Sequence, residues 1–334
     1  MRFSAIRPAA VLLSVALLAG ACSSSGGNSA TDTASSPDSV VAQPAPAESG
    51  ATPVVYASFY PLEEAARAIA GESVRIESIT PVGVSPHGVE LTATVLAGLE
   101  TSAGVLYLGR GFQPGIEKAL SSLPASVVRV DLLADTEMLP VDAPVAGVEG
   151  DIDGEVLAGD VDPHVWVDPV GFAEMTRGIE TLLASLAPKD ATAIAERADL
   201  YRLSLTALDD DFRTGLAKCE SKAIVTSHRA FGYLANRYGL EQLPIAGISP
   251  DEEPSPKSLE AVAAAAKAKG VTVIFFESLV PKELSETVAA EIGATTDALN
   301  PIEGLTKEDL DAGTTYVSIQ QKNLASLRKG LRCT

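Results

Sequence analysis

PVVYASFYPLEEAARAIAGESVRIESI, residues 53–79, carries one full unit of the architecture. Val54 to Phe59 is β-branched and aromatic and reads as a strand. Pro61 to Ala70 opens on a proline suited to a first helical turn, stops at Gly71, and reads as a helix. Val74 to Ile79 is a second strand. The alternation continues outward with a helix at Leu91 to Leu99, a strand at Val105 to Leu108, a helix at Pro114 to Leu123 and a strand at Val127 to Leu132. Strands that alternate with helices predict a parallel sheet covered by helices.

Asp135 to Asp162 interrupts the pattern with nine acids and no Lys or Arg, and reads as a long acidic loop. It is not an EF-hand, because the glycine of Asp151 to Asp162 falls at the fourth position and no glutamate closes the segment. Two helical stretches follow, Val170 to Leu186 and Asp190 to Leu216. In the second, Ile194, Ala198, Tyr201, Leu205, Leu208 and Phe212 recur at steps of four and three, an apolar stripe along about 40 Å of helix. Alternation then resumes: Ala223 to Ser227 (strand), Ala230 to Tyr238 (helix), Leu243 to Ile248 (strand), Lys257 to Lys269 (helix), Val271 to Glu277 (strand), Pro281 to Ile292 (helix) and a last helix at Thr315 to Leu331. The expected fold is α/β, two lobes with parallel-type sheets joined by a long linking helix. The N-terminal lobe is expected over 53–187 with its acidic loop at 135–163, the linking helix over 188–218 and the C-terminal lobe over 219–334. Ligands of such folds bind beyond the carboxyl ends of the strands.

The first 21 residues read as an export signal, with Arg2 and Arg7 ahead of a short apolar stretch, Ala9 to Leu18, that is too short to span a bilayer. Leu18-Ala19-Gly20-Ala21 before Cys22 is similar to a bacterial lipobox, which implies a lipidated Cys22 at the mature N-terminus. Residues 22–52 lack Lys, Arg and aromatic side chains and read as a flexible tether. Cys219 and Cys333 are then the remaining sulfurs in an oxidising compartment, where they pair with each other or stand as separate thiols. A formal net charge of −19 in 334 residues has the wrong sign for nucleic acid or an anionic membrane surface and favours cationic partners.

The chain has three histidines, and each follows a predicted strand or closes a loop: His87, His164 and His228. All three map to strand ends that face the cleft between the lobes. A single histidine is more often structural than a ligand, but three so placed can hold zinc, whose tetrahedral sites take imidazole and oxygen donors.

SFYPL (58–62), SPHGVELT (85–92), DPHVWVDP (162–169), VTSHRAFGYLANRYGL (225–240), GISPDEEPSP (247–256) and ALNPIEGLT (298–306) occur in this order. With them the chain, from Val54 onward, resembles the metal-specific solute-binding lipoproteins of bacterial ABC importers, the zinc-uptake (ZnuA/TroA-like) family. The resemblance implies two Rossmann-like lobes of the metal-binding cluster of solute-binding proteins, and His87, His164 and His228 as metal ligands. A third histidine in place of a carboxylate points to zinc rather than manganese. Where many members carry an aspartate this chain has Asn300, and the resemblance implies Glu303 as fourth ligand, ahead of a water and of Asp297 or Glu277. Glu90 and Glu277 are expected to orient imidazoles, and Arg229 to pair with one of them or weaken cation binding. Glu253 reads as structural. The acidic loop stands where relatives often carry histidines, so it is expected to attract cations by charge rather than to coordinate them.

The resemblance implies a receptor, not an enzyme: a monomer held outside the cell membrane by its lipid, capturing Zn²⁺ as transported ligand and handing it to an ABC permease with its ATPase, without nucleic acid. The alternatives are a manganese or iron(II) receptor of the same family, a surface adhesin and, from a different class, a zinc hydrolase, since three histidines with an open fourth position also hold catalytic zinc. Neither G-x-S-x-G nor H-E-x-x-H occurs in the chain.

Overall fold

The computed structural model describes residues 51–141 and 161–334. The expected signal segment, the lipidation site at Cys22, nearly all of the tether and most of the acidic loop lie outside the described residues. The first lobe contains β1 (Val54–Ala57), α1 (Tyr60–Ala70), β2 (Arg75–Ser78), α2 (Ala93–Thr101), β3 (Gly104–Tyr107), α3 (Pro114–Ser121), β4 (Val128–Asp131) and α4 (Pro169–Leu186). Helix α5 (Ala191–Gly215) leads to β5 (Ala223–Thr226), α6 (Gly232–Tyr238), β6 (Glu241–Pro244), α7 (Pro256–Ala268), β7 (Val273–Phe276), α8 (Glu283–Ile292), β8 (Thr295–Ala298), α9 (Lys307–Asp311) and α10 (Tyr316–Gly330). Both sheets are four-stranded and parallel, in the orders β2-β1-β3-β4 and β6-β5-β7-β8. In each the chain reverses its direction of travel between the two central strands, which opens a crevice at their carboxyl ends.

Burial explains which strands the sequence announces. The central strand β5 is buried at every position, and β3 and β7 at three of four, so they read as apolar runs. Edge strand β8 is TTDA and half exposed, and it escaped the reading for want of an apolar signal. The strand expected at Leu243 to Ile248 begins earlier, at Glu241, because pairing with β5 sets its start (Ala223↔Glu241). Its apolar residues Ile245, Ala246 and Ile248 are buried just past the strand end.

The apolar stripe of α5 is buried as expected, from Ile194 to Phe212, over a helix of 25 residues or about 37 Å. It contributes to a core shared by both halves, in which Leu62, Trp166 and Phe172 from before α5 join Phe231, Tyr316 and Leu327 from after it. Cys219 and Cys333 form a disulfide, which ties the chain just past α10 to the segment just ahead of β5. The acidic excursion leaves from a narrow neck where Pro140 pairs with Val161 and Asp162 N–H donates to Leu139 C=O (2.8 Å).

Candidate metal centre

Four side chains that stand 216 residues apart in the chain at the extremes converge on one point: His87, His164, His228 and Glu303 present ligand atoms that all lie within 4.8 Å of one another. His87 follows β2, and the Gln113 amide donates to Pro86 C=O (3.2 Å), fixing the loop one residue ahead of it. His164 comes straight out of the neck of the acidic loop. His228 follows the central strand β5, where Thr226 Oγ1 and the Gln242 amide both donate to its carbonyl (2.8 and 3.0 Å). Glu303 follows β8. The cluster is nearly sealed, with side-chain exposures of 5% for His87, 0% for His164 and His228, and 3% for Glu303.

Glu303 Oε1 lies 3.1 Å from His87 Nε2, 3.1 Å from His228 Nε2 and 3.5 Å from His164 Nε2. A tetrahedral zinc with arms of about 2.0–2.1 Å has ligand-to-ligand edges of about 3.3–3.4 Å, so these spacings fit one such ion. The far side of two rings carries the same message. His164 Nδ1 faces Asp162 Oδ1 at 2.7 Å and His228 Nδ1 faces Glu277 Oε1 at 2.8 Å. A carboxylate accepts only, so each Nδ1 carries the proton, and a neutral ring then turns a bare Nε2 lone pair toward Glu303. Lone pairs from three rings and a carboxylate repel one another unless a proton or a cation sits among them. His164 Nε2 is a buried nitrogen with no hydrogen-bond partner among the described residues.

The electrostatics follow from the same contacts. Burial opposes charge on all three rings. For His87 burial wins and its pKa is lowered, although Glu303 pulls the other way. For His164 burial is the largest influence, but the bond to Asp162, the approach of Glu303 and the charge of Asp162 together outweigh it and the pKa is raised. For His228 the nearby charges of Glu277 and Glu303 outweigh it and push the ring to about 10. Burial would raise Glu303, but His87 and His228 hold its carboxyl well below the usual range. Fully buried aromatic rings wall the cluster: Phe59, Phe112 and Trp166 lie 4.7–5.1 Å apart, His87 packs edge-on to Phe112 (4.9 Å) and His164 against Trp166 (5.0 Å). They exclude water, which strengthens every charge interaction inside.

The structure thus brings together the four residues singled out as ligands. Of the other candidates for the fourth position, Asp297 points away to Lys329 (2.7 Å), and Glu277 lies behind His228, where it also accepts from the His228 backbone N–H (3.2 Å). That is the orienting role expected of Glu277. Glu90 does not share it, because it is exposed and no hydrogen bond or ion pair joins it to a histidine among the described residues. Asp162 does the corresponding work for His164 and was missed, although its place two residues ahead of His164 in DPHVW offered the signal. Arg229 is half-buried; burial lowers its pKa and the charge of Asp162 raises it. Asn300 does not join the cluster either: its Oδ1 accepts from Ile302 N–H (2.7 Å) in a turn that precedes Glu303.

Two parallel-sheet lobes around a buried cluster of three imidazoles and one carboxylate define a metal-site solute-binding fold. The chain belongs to the family described as zinc-uptake complex component A, periplasmic, whose model matches residues 55–330. It is 33% identical over 276 residues to the zinc-binding lipoprotein AdcA of Streptococcus pneumoniae, which covers 82% of this chain and 55% of AdcA. It is also 33% identical over 284 residues to the high-affinity zinc uptake system protein ZnuA of Bacillus subtilis, covering 83% of this chain and 87% of that one. The chain thus spans about half the length of the AdcA relatives it matches and most of ZnuA. Among solved structures, the Zn(II)-bound ZnuA-like domain of Streptococcus pneumoniae AdcA superposes with a TM-score of 0.71 at 31% identity, over 84% of this chain and 99% of that domain.

Proposed function

We propose that this protein is a zinc receptor: it captures Zn²⁺ between its two lobes with His87, His164, His228 and Glu303 and delivers it to an ABC permease driven by its ATPase. The observation that carries this reading is the cluster itself, four converging donors with two imidazoles oriented from behind, through Nδ1, by Asp162 and Glu277. Relatives named for zinc binding and zinc uptake support it. The fourth position is taken by a carboxylate and the site is buried, so no coordination place is kept for a reacting water, which favours a receptor over a hydrolase. Three imidazoles favour zinc over manganese, which prefers oxygen donors. The receptor acts outside the cytoplasm as a monomer tethered through a lipid on Cys22, in keeping with relatives named lipoproteins.

Metal analysis of the tag-free domain from Ala51 onward, by mass spectrometry under competition between Zn²⁺ and Mn²⁺, tests the reading. One zinc per chain retained against excess Mn²⁺ is expected. Stoichiometric manganese, or no metal at all, would overturn it.

A further inference from the structure

We propose that Asn323 is a positioning residue for the fourth ligand: acting through Asn300, it fixes the turn that carries Glu303 into the cluster. The proposal rests on the reading of this cluster as a zinc site.

The buried stripe of α10 runs Tyr316, Ile319, Gln320, Asn323 and Leu327, and three of these five side chains are polar. Gln320 is 0% and Asn323 2% exposed. Burying amides is costly unless each finds partners, so what they bind is informative. Their partners are the backbones of the two segments that carry ligands. Tyr316 Oη donates to Trp166 C=O (2.7 Å) and Gln320 Nε2 to Val167 C=O (2.8 Å), two and three residues after His164. Asn323 takes both backbone groups of Asn300: its Oδ1 accepts from Asn300 N–H (2.8 Å) and its Nδ2 donates to Asn300 C=O (2.7 Å).

From Asn300 the restraint is handed on residue by residue. Pro301 C=O accepts from Trp166 Nε1 (2.8 Å), and Ile302 N–H donates to Asn300 Oδ1 (2.7 Å). Ile302 sits at φ 62°, a left-handed conformation that a β-branched residue adopts only when its surroundings impose it. The next residue is Glu303. Asn323 therefore anchors a turn held in an unfavourable conformation whose one evident product is the direction of the Glu303 carboxylate. Gln320 links the two halves of the device, since Asn323 Nδ2 also donates to its Oε1 (3.4 Å).

The test is a double-mutant cycle on zinc affinity, measured by chelator competition with wild type, Asn323→Ala, Glu303→Gln and the double variant. Asn323→Ala is expected to weaken zinc about 10–100-fold, as loss of an outer support does. If Asn323 acts through Glu303, the double variant is no weaker than Glu303→Gln alone, within about twofold. With Co²⁺ as probe, the intense visible absorption of a four-coordinate site should weaken in Asn323→Ala as the carboxylate swings free. Unchanged zinc affinity in Asn323→Ala, or losses that multiply in the double variant, would overturn the proposal. Should Asn323→Ala fail to fold, Asn300→Ser and Asn300→Ala decide the question. Both lose the contact to Ser278 (3.0 Å), but a serine hydroxyl can still accept from Ile302 N–H. Asn300→Ser should bind more tightly than Asn300→Ala, and equal affinities would count against it. A wild-type chain that binds no zinc would remove the reading of the site itself, and that result precedes any variant.

Discussion

At the scale of single residues, the supports behind the ligands decide when the site is open to metal. The reference imidazole pKa of about 6.5 places loss of zinc binding between neutral pH and about 5. Pairing with Glu277 and Glu303 moves the window upward by pushing His228 to about 10, and His164 is raised as well, by Asp162 and Glu303. In the metal-free chain the raised His228 value contributes stability that is full below about 6.5 and is lost as pH rises through about 10. Zinc needs the His228 ring neutral, so binding near pH 7.5 should release about one proton from it, and apparent affinity should climb with pH well past neutrality. Calorimetry in buffers of different ionisation enthalpy reads the number directly, and zero release would mean that His228 is already neutral. A second residue-scale prediction concerns Gly232, at the start of α6. A β-carbon there would sit inside van der Waals contact of Asp162 Oδ2. Gly232→Ala should therefore displace Asp162 from His164 and weaken zinc about tenfold or more while the fold survives. Affinity equal to wild type would show that Asp162 can shift without loosening the ring. The four residues of the cluster were legible in the sequence because each stands in a distinctive local string. Asp162 was legible too, but its role depends on a ring orientation that only the folded neck of the loop reveals.

At the scale of elements, what the sequence disclosed follows from burial. Helices with a proline start, such as α1, or a stripe at helical spacing, such as α5, were read within a residue or two of their ends. The edge strand β8 and the short α9 were not, since the one is held by pairing with β7 and the other by a capping box at Thr306 rather than by apolar pattern. Contacts between elements far apart in sequence left no trace at all. Asp168, the N-cap of α4, accepts from the N–H groups of Val170 and Gly171 (3.2 Å each) and also receives the Arg237 guanidinium from α6. The pair joins the element that follows His164 to the element that follows His228. Arg237 is partly exposed and Asp168 nearly buried, so Arg237→Ala leaves the cap in place but deprives a buried carboxylate of its cation. Loss of a charge-assisted hydrogen bond of this kind should cost about 1–3 kcal/mol of stability. Urea unfolding of the metal-free domain measures it, and a change below about 0.5 kcal/mol would place the pair among the screened surface bridges.

At the scale of the whole molecule, the ligand set is divided by the linking helix: His87 and His164 precede α5, whereas His228 and Glu303 follow it. The halves already share one apolar core, and Trp166 reaches across from the segment that carries His164 to the turn before Glu303. The cluster adds a further meeting point, since it gathers a carboxylate and three rings from both halves. Zinc would tie those four donors together by four bonds. No such set of donors exists in the unfolded chain, so zinc binds the native state alone and stabilises it by RT ln(1 + [L]/Kd), about 4 kcal/mol at a thousandfold excess over Kd. For a domain somewhat larger than 150–250 residues, about 1 kcal/mol moves the melting temperature by some 2–4 °C or slightly less, so the expected rise is roughly 10 °C. Thermal melts of EDTA-stripped protein with stepwise Zn²⁺ should show one transition that climbs with the logarithm of free zinc. A midpoint indifferent to zinc would remove the metal reading. Two transitions, of which zinc moves one, would mean that the lobes unfold separately and that the ion sits within one of them.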